Sequence, residues 1–493
     1  MSAAMLMGTS RSQPAPLIRR YRSPVVFGVI LLSLAAFLAL APLRWAALGL
    51  LAVGLITAVF IKPVVGLVAI AILIPWGRQI DLPVPFVGAV DALVGLTIVA
   101  WLAREVALRR EVRLRFPALA APLLLFVGIA GVSLAQAFSW RDGLLEWFKW
   151  VEFAALYIAA SQLLDRRSRW YVVAALFAGA LSQAALGAYQ FVFRVGPEGF
   201  ILPGGSFMRA SGTLEQPNPY AGYLGYTAPI AASLALTALV AAWRRRSARP
   251  WLRVAALAGI AAALAAGILM SWSRGAWLGL GAALICVAGL RNWRTAAMTV
   301  SLIVALALAI GISGTEWLPS SISGRMADLG AYFSMPDPAR TEINDENFSV
   351  LERLAHWQAG LRMFDDAPWL GVGIGNYAVS YSLYPQPHWY EPLGHAHNVF
   401  INFLAETGML GLAAFLALWL GIAALAWRAG WNGAGCWDAA LSLGVLGAWV
   451  YLTIHSLFDN LFVQHLQLQL ALLLAVLHAP ATPVAVEQDL RGV

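Results

Sequence analysis

Residues 394–427 read GHAHNVFINFLAETGMLGLAAFLALWLGIAALAW, and from Gly408 to Trp427 they carry no charged side chain. An apolar run of that length meets the roughly 17–25 residues a helix needs to cross a bilayer. Comparable runs recur along most of the 493 residues. The chain is 60% hydrophobic and only 12% charged, with a mean hydropathy of +0.72, whereas soluble domains are about 25% charged. The reading is an all-α polytopic membrane protein.

Candidate spans fall near 24–41, 45–61, 64–77, 86–106, 117–137, 145–164, 170–193, 220–243, 252–270, 276–290, 295–312, 408–427, 438–457 and 461–478. Only Lys62-Pro63 separates the second from the third, so these two can be one broken element. The expectation is therefore about 12 to 14 transmembrane helices. Three regions follow: N-terminal spans with short loops (1–312), a long loop subdomain (313–396), and C-terminal spans with a short tail (397–493). An arginine-bearing start followed by an apolar run resembles a signal peptide ending near 39–41. Pro42 and further apolar sequence favour an uncleaved first span.

The net charge of +8 does not point to nucleic acid, because the basic residues sit in short clusters between apolar runs. With Arg19, Arg20 and Arg22 inside, the alternate loops at 104–115, 165–169, 244–253, 291–294 and Arg428 also fall inside, and each is basic. That is the distribution expected of cytoplasmic loops. Both termini then lie in the cytoplasm. The loop at 313–396 lies outside and holds ten acidic residues against four arginines. Within it, SVLERLAHWQAGLRMF (349–364) spaces Leu351, Leu354, Leu361 and Phe364 as an amphipathic helix, so a partly helical extracytoplasmic subdomain is expected. Cys286 and Cys436 are far apart and support neither a disulfide framework nor a metal site.

Polar groups inside spans are costly and tend to face a bundle interior or a water-filled cavity. Asp91 reads as a helix–helix hydrogen bond or an interfacial residue. Glu146, Lys149 and Glu152 can form an ion-pair ladder on one helix face. Arg274, in SWSRGAWLG (271–279), occupies a short external turn where positive-inside statistics do not ask for an arginine. Arg209 opens a polar loop that re-enters the membrane around Pro217, Asn218 and Pro219. Arg209, Arg274 and the pair His395/His397 thus lie in three loops on one face. Two arginines suit an anionic group such as a phosphate, and a neighbouring histidine suits proton transfer near neutral pH. Around the histidines no familiar ligand spacing appears, so no metal is expected. No P-loop, GxGxxG or GxSxG motif is present, and no cofactor is expected.

Four motifs in order carry a resemblance: RASGTLEQPNPYAGYL (209–224), SWSRGAWLGL (271–280), ERLAHWQAGLRMFDDAPWLGVGIGNY (352–377) and HAHNVFINFLAETGMLGL (395–412). The chain resembles the O-antigen ligase and polysaccharide polymerase superfamily of bacterial membrane glycosyltransferases over most of 200–430. The resemblance implies a GT-C-like arrangement and metal-independent glycosyl transfer at the periplasmic face of the inner membrane. It implies an undecaprenyl-diphosphate-linked glycan as donor. The acceptor would be lipid A–core for a ligase or another lipid-linked glycan for a polymerase. Arg209 and Arg274 match the arginines thought to hold the donor diphosphate, and His397 matches the histidine thought to assist the acceptor hydroxyl. His395, Asn398, Glu406 and Asn218 would support them. Arg353 and Asn376-Tyr377 match motif positions without assigned chemistry. A ligase is the favoured reading, a polymerase the alternative, and a non-catalytic polysaccharide or lipid transporter a third.

Overall fold

A computed structural model describes residues 42–79, 88–110, 114–202, 205, 207–243, 249–313, 335–344, 347–431 and 436–478. The predicted first span, the N-terminal arginines, residues 314–334 of the long loop and the tail beyond 478 lie outside them. Of the described residues, those up to Ala58 belong to one compact unit and those from Val59 onward to another.

The described residues are helical apart from turns and two isolated bridges. This follows from the solvent, because a lipid-facing backbone must satisfy its own hydrogen bonds. In chain order the helices are α1 (Leu43–Ile61), α2 (Val64–Leu73), α3 (Ala89–Arg104), α4 (Ala120–Ser133), α5 (Trp140–Leu163), α6 (Ser168–Phe193), α7 (Pro217–Gly225), α8 (Ala228–Trp243), α9 (Arg249–Met270), α10 (Arg274–Arg291), α11 (Trp293–Ser313), α12 (Phe348–Asp366), α13 (Tyr377–Ser380), α14 (Val399–Trp431), α15 (Cys436–His455) and α16 (Leu466–His478). Six segments among the described residues are long and apolar enough to cross a membrane: Ser168–Phe193, Pro217–Trp243, Pro250–Met270, Arg274–Arg291, Val399–Gly430 and Cys436–His455. Four further apolar helices are shorter. The protein is an all-α polytopic membrane protein.

Within the second unit, α15 packs along α8, α10 and α14, and α16 packs against α5. The hydrogen bonds that cross between helices here tie side chains to backbone or to other side chains. Ser233 donates to Ala440 O at 2.6 Å, and the buried Tyr451 donates to Ala221 O at 2.7 Å. A dense aromatic cluster of Phe126, Trp150, Phe403, Phe415 and Phe462 locks α4, α5 and α14 together.

The amphipathic segment expected at 349–364 is α12, and it buries Leu351, Leu354, Ala355 and Ala359. Its partner is α14, which is bent at Gly408 (φ 63°, ψ −165°). The bend has a cause. Segment 367–372 lies against the opened turn, where Met409 N–H donates to Pro368 O at 2.8 Å and Val372 N–H donates to Ala405 O at 2.9 Å. The backbone groups released by the break are satisfied by this segment, as burial demands. A side chain at 408 would overlap it, since an added Cβ would stand 2.3 Å from the Trp369 carbonyl carbon.

Candidate functional site

Several helix ends meet at one end of the bundle: the starts of α7, α10 and α14, the end of α15, and the loop 456–465. At their centre is Asp459, which is 5% exposed. One carboxylate oxygen faces two imidazoles, with His395 Nε2 at 3.6 Å and His397 Nδ1 at 3.4 Å. The other oxygen accepts a hydrogen bond from Asn218 Nδ2. Asn218 Oδ1 in turn faces Arg209 Nη2 at 3.5 Å, and Arg209 Nε donates to Ser271 O at 3.0 Å. Arg209, Asn218, His395 and His397, identified from separate stretches of sequence, therefore meet through one carboxylate.

Arg274 joins by another route. Its guanidinium donates to Ser349 Oγ. Arg353 donates to Ser349 O at 2.7 Å and to Phe458 O at 3.0 Å, next to Asp459. Beside Arg274, Ser273 Oγ lies 3.4 Å from His455 Nε2. Arg353, which the motif reading left without a role, links the arginine turn to the aspartate loop.

The histidine segment is held by its neighbours. His397 has a left-handed backbone (φ 52°), and its N–H donates to His395 Nδ1 at 3.1 Å. Val399 N–H donates to Ser456 O at 3.0 Å, fastening the start of α14 to the aspartate loop. Both ring nitrogens of His397 are buried; Nδ1 approaches Asp459 at 3.4 Å, and Nε2 has no hydrogen-bond partner among the described residues. Nδ1 points at the carboxylate, so the imidazole favours Nδ1–H and leaves the Nε2 lone pair unpaired.

Electrostatics sort the histidines. Burial pushes His395 down to about 4, helped by His397, Arg353 and Lys149 and opposed by Asp459. Burial also pushes His356, on α12, down to about 3, with His397, His395 and Arg353 adding to it. Tyr377 Oη donates to His356 O at 2.8 Å and lies 3.1 Å from His356 Nδ1. The tyrosine proton is thereby used, so His356 donates from Nδ1, and its lowered value keeps the ring neutral near pH 7. Burial alone would raise the Asp459 carboxyl. The adjoining His397, then His395 and Arg353, instead hold it well below the ordinary carboxylate range.

The supporting residues divide. Asn398 is a helix cap: its Oδ1 accepts from Phe400 N at 3.0 Å and Ile401 N at 3.1 Å, and its Nδ2 donates to Leu457 O at 3.2 Å. Glu406 faces away from the histidines, into the glycine-rich turn before α13, and accepts from Tyr377 N–H at 3.1 Å. Asn376, in that turn, accepts from Ser139 N–H at 2.7 Å and ties the turn to the start of α5. Of the ladder expected on α5, Glu146 and Lys149 pair, and Lys149 also donates to Phe462 O at 2.6 Å. Glu152 instead lies beside Asp91, which accepts from Gly88 N–H at 2.7 Å and faces His465 Nε2 at 2.8 Å.

Asp459 was not among the residues picked out from sequence. Its signal is the polar break between the predicted spans ending at 457 and starting at 461. The expected orientation puts that break on the same side as Arg209, Arg274 and His397. The ligand atoms of His395, His397 and Asp459 also lie within 4.8 Å of one another, close enough to hold a cation.

Residues 259–416, about a third of the chain, match the family model described as O-antigen ligase. The match contains Arg274, Arg353, His395 and His397, while Arg209, Asn218 and Asp459 lie outside it. The resemblance to the O-antigen ligase superfamily therefore stands on the family model as well as on the motifs. No curated protein matches the chain.

Proposed function

We propose, on the premise that residues 259–416 form an O-antigen ligase domain, that this protein is a glycosyltransferase of the bacterial inner membrane. It moves a glycan from undecaprenyl diphosphate to a hydroxyl acceptor at the periplasmic face. The favoured acceptor is lipid A–core, which makes it an O-antigen ligase. The observation that carries the reading is the single carboxylate, Asp459, which joins the Arg209–Asn218 pair to His395 and His397. The basic loops at the other end of the helices support a periplasmic site.

In this mechanism Arg209 and Arg274 hold the donor diphosphate. The acceptor oxygen attacks the anomeric carbon opposite the leaving group, so the configuration inverts. The bond from that carbon to the diphosphate oxygen breaks, and its electron pair stays on undecaprenyl diphosphate. The two guanidiniums stabilise that charge, and the scheme needs no divalent ion. His397 Nε2 takes the acceptor proton, and Asp459 steadies the resulting imidazolium. The proton then passes to water.

The test supplies full-length protein in detergent with a lipid-linked oligosaccharide and two acceptors, lipid A–core and a second lipid-linked glycan. Glycan joined to lipid A–core supports the ligase. A ladder of lengthened lipid-linked glycans replaces it with a polymerase. Movement of labelled lipid-linked glycan across vesicles with no new glycosidic bond supports a transporter and overturns the enzymatic reading.

A further inference from the structure

The helix ends opposite the histidine–aspartate cluster hold a second polar assembly that glycosyl transfer does not use. α15 runs from Cys436 near this assembly to His455 at the candidate site, roughly 30 Å at 1.5 Å per residue. Between α6, α8, α9 and the start of α15 lies a cavity of about 910 Å³. Arg166, Arg169 and Arg253 line one part of it, and the buried Val173, Phe177 and Leu234 line another. Phe177 is two helical turns beyond Arg169, so the apolar part extends roughly 12 Å along the helix axis.

The charge in the cavity is not balanced. Asp438 pairs with both Arg169 and Arg166, the latter at 3.0 Å. Among the described residues lining the cavity there are thus three arginines and one carboxylate, and that carboxylate pairs with two of them. The Arg169 side chain is 7% exposed, and its Nε has no hydrogen-bond partner among the described residues. A buried donor left unsatisfied is costly, so the site lacks an acceptor. Exposed tryptophans mark the same level of the bundle: Trp243 is 80% exposed at the end of α8, and Trp293 is 76% exposed at the start of α11. Tryptophans so placed sit at lipid headgroups. The arginines therefore lie at headgroup depth, and the apolar part lies at acyl-chain depth.

We propose that this cavity binds an anionic phospholipid of the leaflet opposite the candidate site. Its phosphate bridges Arg169, Arg166 and Arg253, and an acyl chain runs along Val173, Phe177 and Leu234. Guanidinium forks match phosphate oxygens, and basic pockets between membrane helices suit anionic headgroups. A soluble phosphate would satisfy the arginines and leave the apolar part unfilled, which favours the lipid.

The test is native mass spectrometry of the delipidated full chain, titrated with phosphatidylglycerol or phosphatidylethanolamine of the same acyl chains. The comparison is with Arg166→Gln/Arg253→Gln, whose two sites are exposed and outside the glycosyl-transfer machinery. One phosphatidylglycerol should bind with preference over phosphatidylethanolamine, and the double variant should weaken it about tenfold or more. Millimolar pyrophosphate should leave it bound. Equal retention of both lipids, unchanged binding by the variant, or displacement by pyrophosphate would overturn the proposal, the last by identifying a soluble phosphate site.

Discussion

The carboxylate of Asp459 stands 3.4 Å from Nδ1 of His397 while its other oxygen accepts from Asn218. One buried charge thereby orients the candidate base and joins it to Arg209. Asparagine at 459 keeps the shape and removes the charge that stabilises an imidazolium. Asp459→Asn should lower kcat about 100-fold or more and leave the donor KM within a few-fold. Steady-state kinetics separate the two constants. A donor KM that rises while kcat holds would place Asp459 in binding alone.

Arg209 uses Nε on Ser271 O, and its Nη2 faces Asn218. A lysine retains the charge and loses the planar fork. Arg209→Lys should raise the donor KM about tenfold, with a smaller fall in kcat, and Arg209→Ala should cost more in both. If lysine restores wild-type constants, the guanidinium geometry is not needed.

The folded protein should lose stability in mild acid. Burial first, then neighbouring charges, hold His356 near 3 and His395 near 4, both below the ordinary value of 6.5. A histidine whose folded value is lowered stabilises fully above its unfolded value, and that contribution is lost as pH falls toward the folded value. The thermal midpoint should therefore drop between pH 6.5 and about 4. Asp459, held below its ordinary 3.8, stays ionised in the folded protein and adds to the drop only at the acid end of this window, where the unfolded carboxyl begins to take up a proton. His356→Gln should flatten the drop, whereas a wild-type midpoint constant over this range would contradict the assignment.

Gly408 bends α14 in a backbone region that is essentially glycine's own. Gly408→Ala must strain φ and push the new Cβ into the Trp369 backbone. The cost should be about 2 kcal/mol or more, read as a lower thermal midpoint and lower yield of folded protein. An unchanged midpoint would mean that 367–372 does not pack as described.

Membrane physics explains what could be read in advance. Apolar runs at 170–193, 252–270 and 438–457 correspond to α6, α9 and α15 because lipid leaves a long apolar segment little choice but helix. Arg274 was legible because it breaks the expected charge asymmetry, and Arg209 because it opens a polar loop that re-enters the membrane around Pro217, Asn218 and Pro219. The bend at Gly408 was not, since one glycine in an apolar run looks the same whether or not 367–372 packs on it. Asp459 was passed over because a single acid in a short turn is ordinary until His395, His397 and Asn218 are seen to converge on it. Asn398 and Glu406 show the reverse. Both sit beside the histidine motif, yet one caps a helix and the other binds a distant turn.

The most direct test of the central claim is single-turnover glycan transfer in excess EDTA, comparing wild type with His397→Ala. The account predicts that wild type keeps its rate under chelation. It predicts that His397→Ala falls about 10²- to 10⁴-fold while still binding donor. A wild-type rate that collapses in EDTA and returns with added divalent metal would contradict it, because His395, His397 and Asp459 would then be metal ligands. A His397→Ala variant that transfers at the wild-type rate would contradict it equally, because the proton would have another acceptor.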